Sequence, residues 1–344
     1  MARVATDRTG GDKPGNPELS VIVPAFNEGS NVDELVARLV PVLDALTSSF
    51  EILFVDDGST DDTPDRLRML ALHDPRIRAL RFSRNFGKEI GLAAGLDHVR
   101  GDAVAIIDAD LQHPPEILKD FIAHWREGYE MVYGQRVDRS TDGPLRRWMT
   151  ERFYHLFHKF GEIPLPAGAG DFRLMDRKVV EALRRLPERA RFSKGLYAWV
   201  GFKSIGVPFE VQDRLHGQSK WGLPKLTRFA LDGLSSFSTL PLKLATYLGI
   251  GISIFAITYA FGAVFRTLVW GSDVPGFPTL VVSVMFFSGI QLIFLGIIGE
   301  YIGRIFAEVK RRPLYIVAEE IGGEVEEAAP VRPRTSRTKS RAAP

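Results

Sequence analysis

Residues 103–112 read Ala-Val-Ala-Ile-Ile-Asp-Ala-Asp-Leu-Gln. The run from Val104 to Ile107 is rich in β-branched residues and does not alternate, and it ends abruptly in Asp108 and Asp110 with an amide at Gln112. A continuous apolar run is the pattern of a strand covered on both faces. In open α/β sheets the crevice beyond the carboxyl ends of such strands is where ligands bind. Two carboxylates delivered to that edge repel each other unless a cation lies between them. Hard oxygen ligands suit Mg²⁺ or Mn²⁺, which keeps waters and takes its remaining ligands from a substrate diphosphate. The competing reading is a loop that carries two solvated acids.

Outward from this strand the same unit repeats. Residues 19–23, closed by Pro24, and 50–55, ending in Asp56-Asp57-Gly58-Ser59, are apolar and β-rich, and 77–82 forms a third such run. Helical spacing fills the intervals at 31–46, with Ser30 as its N-cap, and at 62–72, 89–99 and 115–127. A further strand is expected at 130–133. Repeated β-α units of this length predict an α/β fold, a mostly parallel sheet with helices on both faces.

The formal net charge of +2 over 344 residues gives no global field for nucleic acid, and the absence of cysteine excludes disulfides and thiolate chemistry. The first 17 residues are polar with Gly and Pro and have no apolar core, which predicts a disordered leader rather than a signal peptide. Residues 244–270 carry Arg266 as their single charge, and 277–298 carry none. Each exceeds the roughly 20 residues that cross a bilayer core. Lys225, Arg228 and Lys243 precede the first stretch, and Arg304, Lys310, Arg311 and Arg312 follow the second, whereas the loop between them holds only Asp273. The positive-inside rule then places both termini and the α/β domain in the cytoplasm of a multi-pass protein of the plasma (inner) membrane. Residues 145–160 and 223–242 have basic amphipathic patterns, suited either to the headgroup plane or to covering the domain's own core. The acidic, then basic and Pro-rich tail after about residue 320 reads as disordered.

Three strand ends deliver acids to one edge: Asn27-Glu28, Asp56-Asp57 and Asp108. A carboxylate there can accept from a base N–H or a ribose hydroxyl, and Phe26 can stack on a ring. No G-x-G-x-x-G follows the first strand and no P-loop is present. Acidic strand ends with a metal motif suggest a sugar nucleotide whose diphosphate is held by the cation.

The ordered motifs PAFNE (24–28), VDDGSTDDT (55–63), RNFGKEIGLAAGLDHVRGD (84–102), DADLQHPPE (108–116), GDFRLMDR (170–177) and RLHGQSKWG (214–222) resemble the inverting family 2 glycosyltransferases of GT-A fold. More narrowly they resemble the polyprenyl-phosphate glycosyltransferases, including the dolichol-phosphate mannose synthases and the bactoprenol glucosyltransferases with two C-terminal spans. The likeness covers about residues 18 to 315. It implies a GT-A domain over 18–222, an interfacial helix over 223–243, two transmembrane helices over 244–305 and a cytoplasmic tail over 306–344.

The resemblance implies nucleotide-sugar contacts from Pro24, Phe26, Glu28, Val55, Asp57, Asp108, Ala109 and Arg136. Many relatives carry Tyr at the position of Phe26, so a hydroxyl contact is lost there. It implies that Asp110 and Gln112 hold Mg²⁺ or Mn²⁺, with Asp108 close to the metal or nucleotide. Arg214 and Lys220 match the basic pair of a loop that closes over the phosphates; surface charge is the competing reading. Arg84, Asn85 and Lys88 either contact a donor or acceptor phosphate or cap a helix.

Asp171 is the candidate base. Its acceptor would be a lipid phosphate, ionised already near neutral pH, so it either takes a residual proton or orients the acceptor. Arg173 and Arg147 would hold the acceptor phosphate, although an Asp171–Arg173 salt bridge is the alternative. The expected activity is transfer of one sugar, glucose from UDP-glucose first, to polyprenyl phosphate at the cytoplasmic leaflet. Mannose from GDP-mannose, a processive polysaccharide synthase, and a sugar-nucleotide-binding scaffold stand as alternatives. The expected partners are the nucleotide sugar, the lipid acceptor and the membrane; nucleic acid is not among them, and a homo-oligomer is left open.

Overall fold

The computed structural model describes residues 16–136, 168–186, 188–189, 191–210, 240–270 and 276–322. The first half follows the β-α rhythm: β1 (Leu19–Ala25), α1 (Gly29–Leu46), β2 (Phe50–Asp56), α2 (Thr63–His73), β3 (Ile77–Phe82), α3 (Lys88–His98) and β4 (Ala103–Ile106). A 3₁₀ turn at Pro115–Ile117 then leads into α4 (Leu118–Arg126). β5 (Met131–Arg136), β6 (Ala169–Asp176), α5 (Arg177–Arg184), α6 (Ser193–Trp199) and β7 (Ser204–Phe209) come next. Two long helices, α7 (Leu240–Trp270) and α8 (Phe277–Val309), precede a last strand, β8 (Val317–Ile321).

The eight strands form one sheet in the order β7-β5-β6-β4-β1-β2-β3-β8. β4, β1, β2 and β3 are mutually parallel, as is the β5–β7 pair, whereas β6 and β8 run antiparallel to their neighbours. The continuous apolar runs have a simple cause. Val21, Val23, Ile52 and Phe54 enter one core with Leu35, Leu39 and Leu43 of α1 and Phe121 of α4. Ile22, Leu53 and Val55 enter a second core with Leu92 and Leu96 of α3 and Val180 and Leu183 of α5. Successive strand residues thus face opposite layers, and both layers are dry. Leu39 is fully buried, and its truncation to alanine would cost about 2–5 kcal/mol.

Ser30 lies inside α1, not at its N-cap. The helix starts two residues earlier than expected because the β2–α2 loop caps it from outside. Glu28 N–H donates to Thr63 Oγ1 at 3.0 Å and Gly29 N–H to Asp61 Oδ2 at 3.2 Å. No spacing rule within the helix's own sequence reveals such a cap.

The stretches 244–270 and 277–298 fall within α7 and α8. Among the described residues, Phe286–Val309 is long and apolar enough to cross a membrane, with mean hydropathy 1.6. The segment 145–160 and most of 223–242 lie outside the described residues. Beyond α8 the chain returns to the sheet. Ser83 N–H donates to Ile316 O at 3.0 Å, Tyr315 stacks on Phe82 at 5.2 Å, and Arg68 grips Glu319 with bonds of 2.8 and 2.7 Å. The sequence reading has no strand here: Val-Ala-Glu-Glu-Ile falls in the stretch assigned to a cytoplasmic tail, and its partner, the open edge of β3, is supplied by the fold.

Candidate active site

The carboxyl ends of β1, β2, β3 and β4 share one edge of the sheet, and antiparallel β6 begins there. Continuing the β4–β6 register two residues past Ile106↔Arg173 sets Asp108 opposite Asp171. Lys88, the first residue of α3, resolves the repulsion between them. Its Nζ lies 2.6 Å from Asp108 Oδ1 and 3.0 Å from Asp171 Oδ2. Burial alone would pull the ammonium down and push the Asp171 carboxyl up. The opposite charges outweigh it, so Lys88 titrates above the usual lysine range and Asp171 well below the usual carboxylate range.

Past Asp110 the chain turns sharply through Leu111, whose φ is 60°. The turn brings His113 back, so that ligand atoms of Asp108, Asp110 and His113 lie within 4.8 Å of one another. The imidazole is stacked on Phe172 at 4.8 Å and edged by Phe209. Among the described residues its buried Nδ1 has no hydrogen-bond partner, and the nearest acid oxygen, on Asp108, is 3.9 Å away. Burial lowers the His113 pKa against the pull of Asp108 and Asp110, which favours a neutral ring able to donate a lone pair. Two carboxylates and one imidazole with an orphaned nitrogen fit a divalent ion such as Mn²⁺ or Mg²⁺. Sequence reasoning named Gln112 for this set and passed over His113. Gln112 is partly buried and donates its backbone N–H to Asp110 Oδ1 at 3.2 Å. Only the left-handed turn at Leu111, not sequence spacing, shows that His113 comes back toward the acids.

The residues expected around a nucleotide divide by depth. Val55 and Ala109 point into the cores, 0% and 2% exposed, so only their backbone can reach a ligand. Pro24, paired with Val55, and Phe26 are half-buried at the end of β1. Glu28 Oε2 accepts from Asn31 Nδ2 at 2.7 Å. The Asp57 carboxylate accepts from the N–H groups of Phe86 and Gly87 at 2.6 and 2.8 Å, tying the β2 loop to the β3 loop. Burial raises its pKa, and those two bonds oppose the rise. Arg136 ends β5 at the same edge.

Arg173 stands behind Asp171 on the same face of β6 but is 3% exposed. Its guanidinium lies over the Tyr197 ring at 3.5 Å and donates to Gly170 O at 2.5 Å. Beside it the Glu89 carboxylate accepts from the N–H and hydroxyl of Ser193. Of this buried layer the sequence reading names Arg173 but not Tyr197, Glu89 or Ser193. Arg147, Arg214 and Lys220 lie outside the described residues; the chain reaches the segment holding the last two from the end of β7, next to Arg136.

An acidic, lysine-bridged centre at the carboxyl edge of a doubly covered sheet, reached after a D-x-D turn, marks a GT-A transferase domain. Residues 20–184 match the family described as Glycosyl transferase family 2, and the chain belongs to that family and is a glycosyltransferase. It is 48% identical over 302 residues to an uncharacterized glycosyltransferase, sll0501, of Synechocystis sp., covering 88% of this chain and 95% of that one. It is 44% identical over 300 residues to the SfII prophage-derived bactoprenol glucosyl transferase of Shigella flexneri, covering 87% and 97%. It is 42% identical over 300 residues to the prophage bactoprenol glucosyl transferase homolog of Escherichia coli, covering 87% and 98%.

Proposed function

We propose that the protein transfers glucose from UDP-glucose to a polyprenyl phosphate at the membrane surface, with inversion at the anomeric carbon. The observation that carries this reading is the convergence on one sheet edge of an ion-competent cluster, Asp108, Asp110 and His113, with Asp171, joined by a single lysine. The names of relatives at 42–44% identity support glucose and an isoprenoid acceptor. The apolar α8 supports membrane attachment. β8 pairs with β3 after α8, and Glu308 near the end of α8 accepts from Arg189 N–H at 2.8 Å. The chain thus leaves the catalytic domain before α7 and is back at its sheet after α8, which supports an even number of crossings between them.

A divalent ion on Asp108, Asp110 and His113 would supply positive charge for the departing nucleoside diphosphate. The chain's own groups do the rest. Asp57 fixes the loop that begins α3, which sets where Lys88 stands. Asp171, held ionised by Lys88, is a weak base, and a lipid phosphate with its second pKa near about 6 needs no strong one. Its role on this reading is to orient the acceptor oxygen for in-line attack. On this reading Arg214 and Lys220 supply charge to the diphosphate and Arg147 supplies charge to the acceptor phosphate.

The test is incubation of the purified full-length protein in nanodiscs with radiolabelled UDP-glucose or GDP-mannose, undecaprenyl phosphate and Mn²⁺ or Mg²⁺. Label from UDP-glucose in the lipid fraction, lost with a chelator, is the expected result. Label from GDP-mannose alone would reassign the sugar, and no lipid-borne label from either donor would remove the acceptor reading.

A further inference from the structure

The acceptor reading brings a lipid phosphate of charge near about −1.5 to −2 to an edge that already holds Asp108, Asp110 and Asp171. Such a group is repelled unless a cation faces it. Lys88, Lys194 and Arg173 all draw the Asp171 carboxyl down, and among the described residues Lys88 is the one in ion-pair contact with it. Arg173 is sealed: 3% exposed, packed over Tyr197, with its donors on Gly170 O and Met131 Sδ. The Lys88 side chain is 36% exposed. An ammonium has three donors; two face Asp108 and Asp171, and one remains for a ligand.

We propose that Lys88 is the residue that receives the acceptor phosphate, its ammonium aimed by Asp108 on the donor side and Asp171 on the acceptor side. Arg173 then acts from behind, as a buried prop for Asp171 and the β6 backbone. The proposal rests on the acceptor reading above and assigns its anion-binding group. It also gives Asp171 a purpose that needs no proton transfer: it holds the lysine where the nucleophile arrives.

The experiment compares wild type, Lys88→Met and Lys88→Arg as full-length protein in nanodiscs. Lys88→Met should raise KM for undecaprenyl phosphate about 10- to 100-fold, the weight of one charge-assisted hydrogen bond. UDP·Mn²⁺ affinity measured by calorimetry should stay unchanged, and Lys88→Arg should recover most of the lipid affinity. An unchanged lipid KM overturns the proposal. So does a parallel loss of UDP·Mn²⁺ affinity, which would make Lys88 part of the donor site. If wild type transfers to no lipid phosphate, the acceptor reading fails by itself, and Lys88 is judged on geranyl phosphate, a short soluble isoprenyl phosphate. Broadening of its ³¹P resonance by bound Mn²⁺ that vanishes in Lys88→Met and persists in Lys88→Arg supports the assignment. Broadening equal in all three proteins, or absent from wild type, removes it.

Discussion

Replacing Gly58 with alanine tests how the site is held in shape. Gly58 has φ +69°, and a Cβ there would stand 2.5 Å from the carbonyl carbon of Arg84, 2.8 Å from its Cα and 2.9 Å from its oxygen. The left-handed conformation costs an L-residue about 1–2 kcal/mol. The clash is with backbone, which cannot rotate away, so the Arg84–Gly87 segment must shift, and such overpacking costs about 1–3 kcal/mol more. The sum, about 2–5 kcal/mol, lowers Tm by about 4–20 °C for a domain of this size. The same shift pulls the Phe86 and Gly87 N–H groups off Asp57, so the carboxylate expected to contact the nucleotide is no longer held in place. UDP·Mn²⁺ affinity should therefore fall together with Tm. Gly128→Ala is the control. Its φ is +101° but a Cβ would meet nothing within 4 Å, so it carries the strain of about 1–2 kcal/mol alone and leaves nucleotide affinity intact. Differential scanning fluorimetry and calorimetry on the two variants decide the matter. A Gly58→Ala protein that melts no lower than Gly128→Ala and binds nucleotide normally would refute the argument that the β2 and β3 loops lock each other.

His113→Asn should weaken Mn²⁺ binding, read by electron paramagnetic resonance, by about tenfold or more, whereas Gln112→Ala should change it little; the reverse ranking would restore the glutamine as ligand. Asp171→Asn should keep UDP·Mn²⁺ binding and lose about 100-fold in turnover through a misplaced acceptor; normal turnover would take Asp171 out of the mechanism. The same variant has a pH signature in the metal-free protein. Because folding depresses the Asp171 pKa, its pairing stabilises fully above the unfolded value of about 3.9 and fades as pH falls through the lower folded value. The stability gap between wild type and Asp171→Asn should then shrink below about pH 4, and a gap that stays constant down to pH 3 in denaturant melts would contradict the Lys88 pairing. Tyr315→Ala removes the stack on Phe82 and the hydroxyl bond to Asp97 of 3.0 Å; hydrogen exchange should show about 1–3 kcal/mol less protection at Ser83 and along β3, and undiminished protection would mean that β8 does not brace that edge.

Much of this site was legible in the chain itself. The abrupt passage from apolar runs to acids at Asp56-Asp57 and Asp108-Ala109-Asp110 fixed the strands, their direction and the edge where chemistry gathers, because burial on two faces and a polar terminus both leave marks in local sequence. The long, nearly charge-free stretches within α7 and α8 were legible for the same reason. Tertiary structure alone decided which residues meet across the sheet. Asp108 faces Asp171 because β6 enters antiparallel beside β4, a pairing between segments more than 60 positions apart. Lys88 bridges them because α3 begins under the same edge, and His113 joins the acids because Leu111 adopts a left-handed turn. β8 exists because β3 offers an open edge to a segment that otherwise reads as cytoplasmic tail. Local sequence encodes which faces are dry and where a strand stops; register between distant strands and the direction of a single turn are properties of the assembled fold, and they arrange these acids, the lysine and the imidazole into one centre.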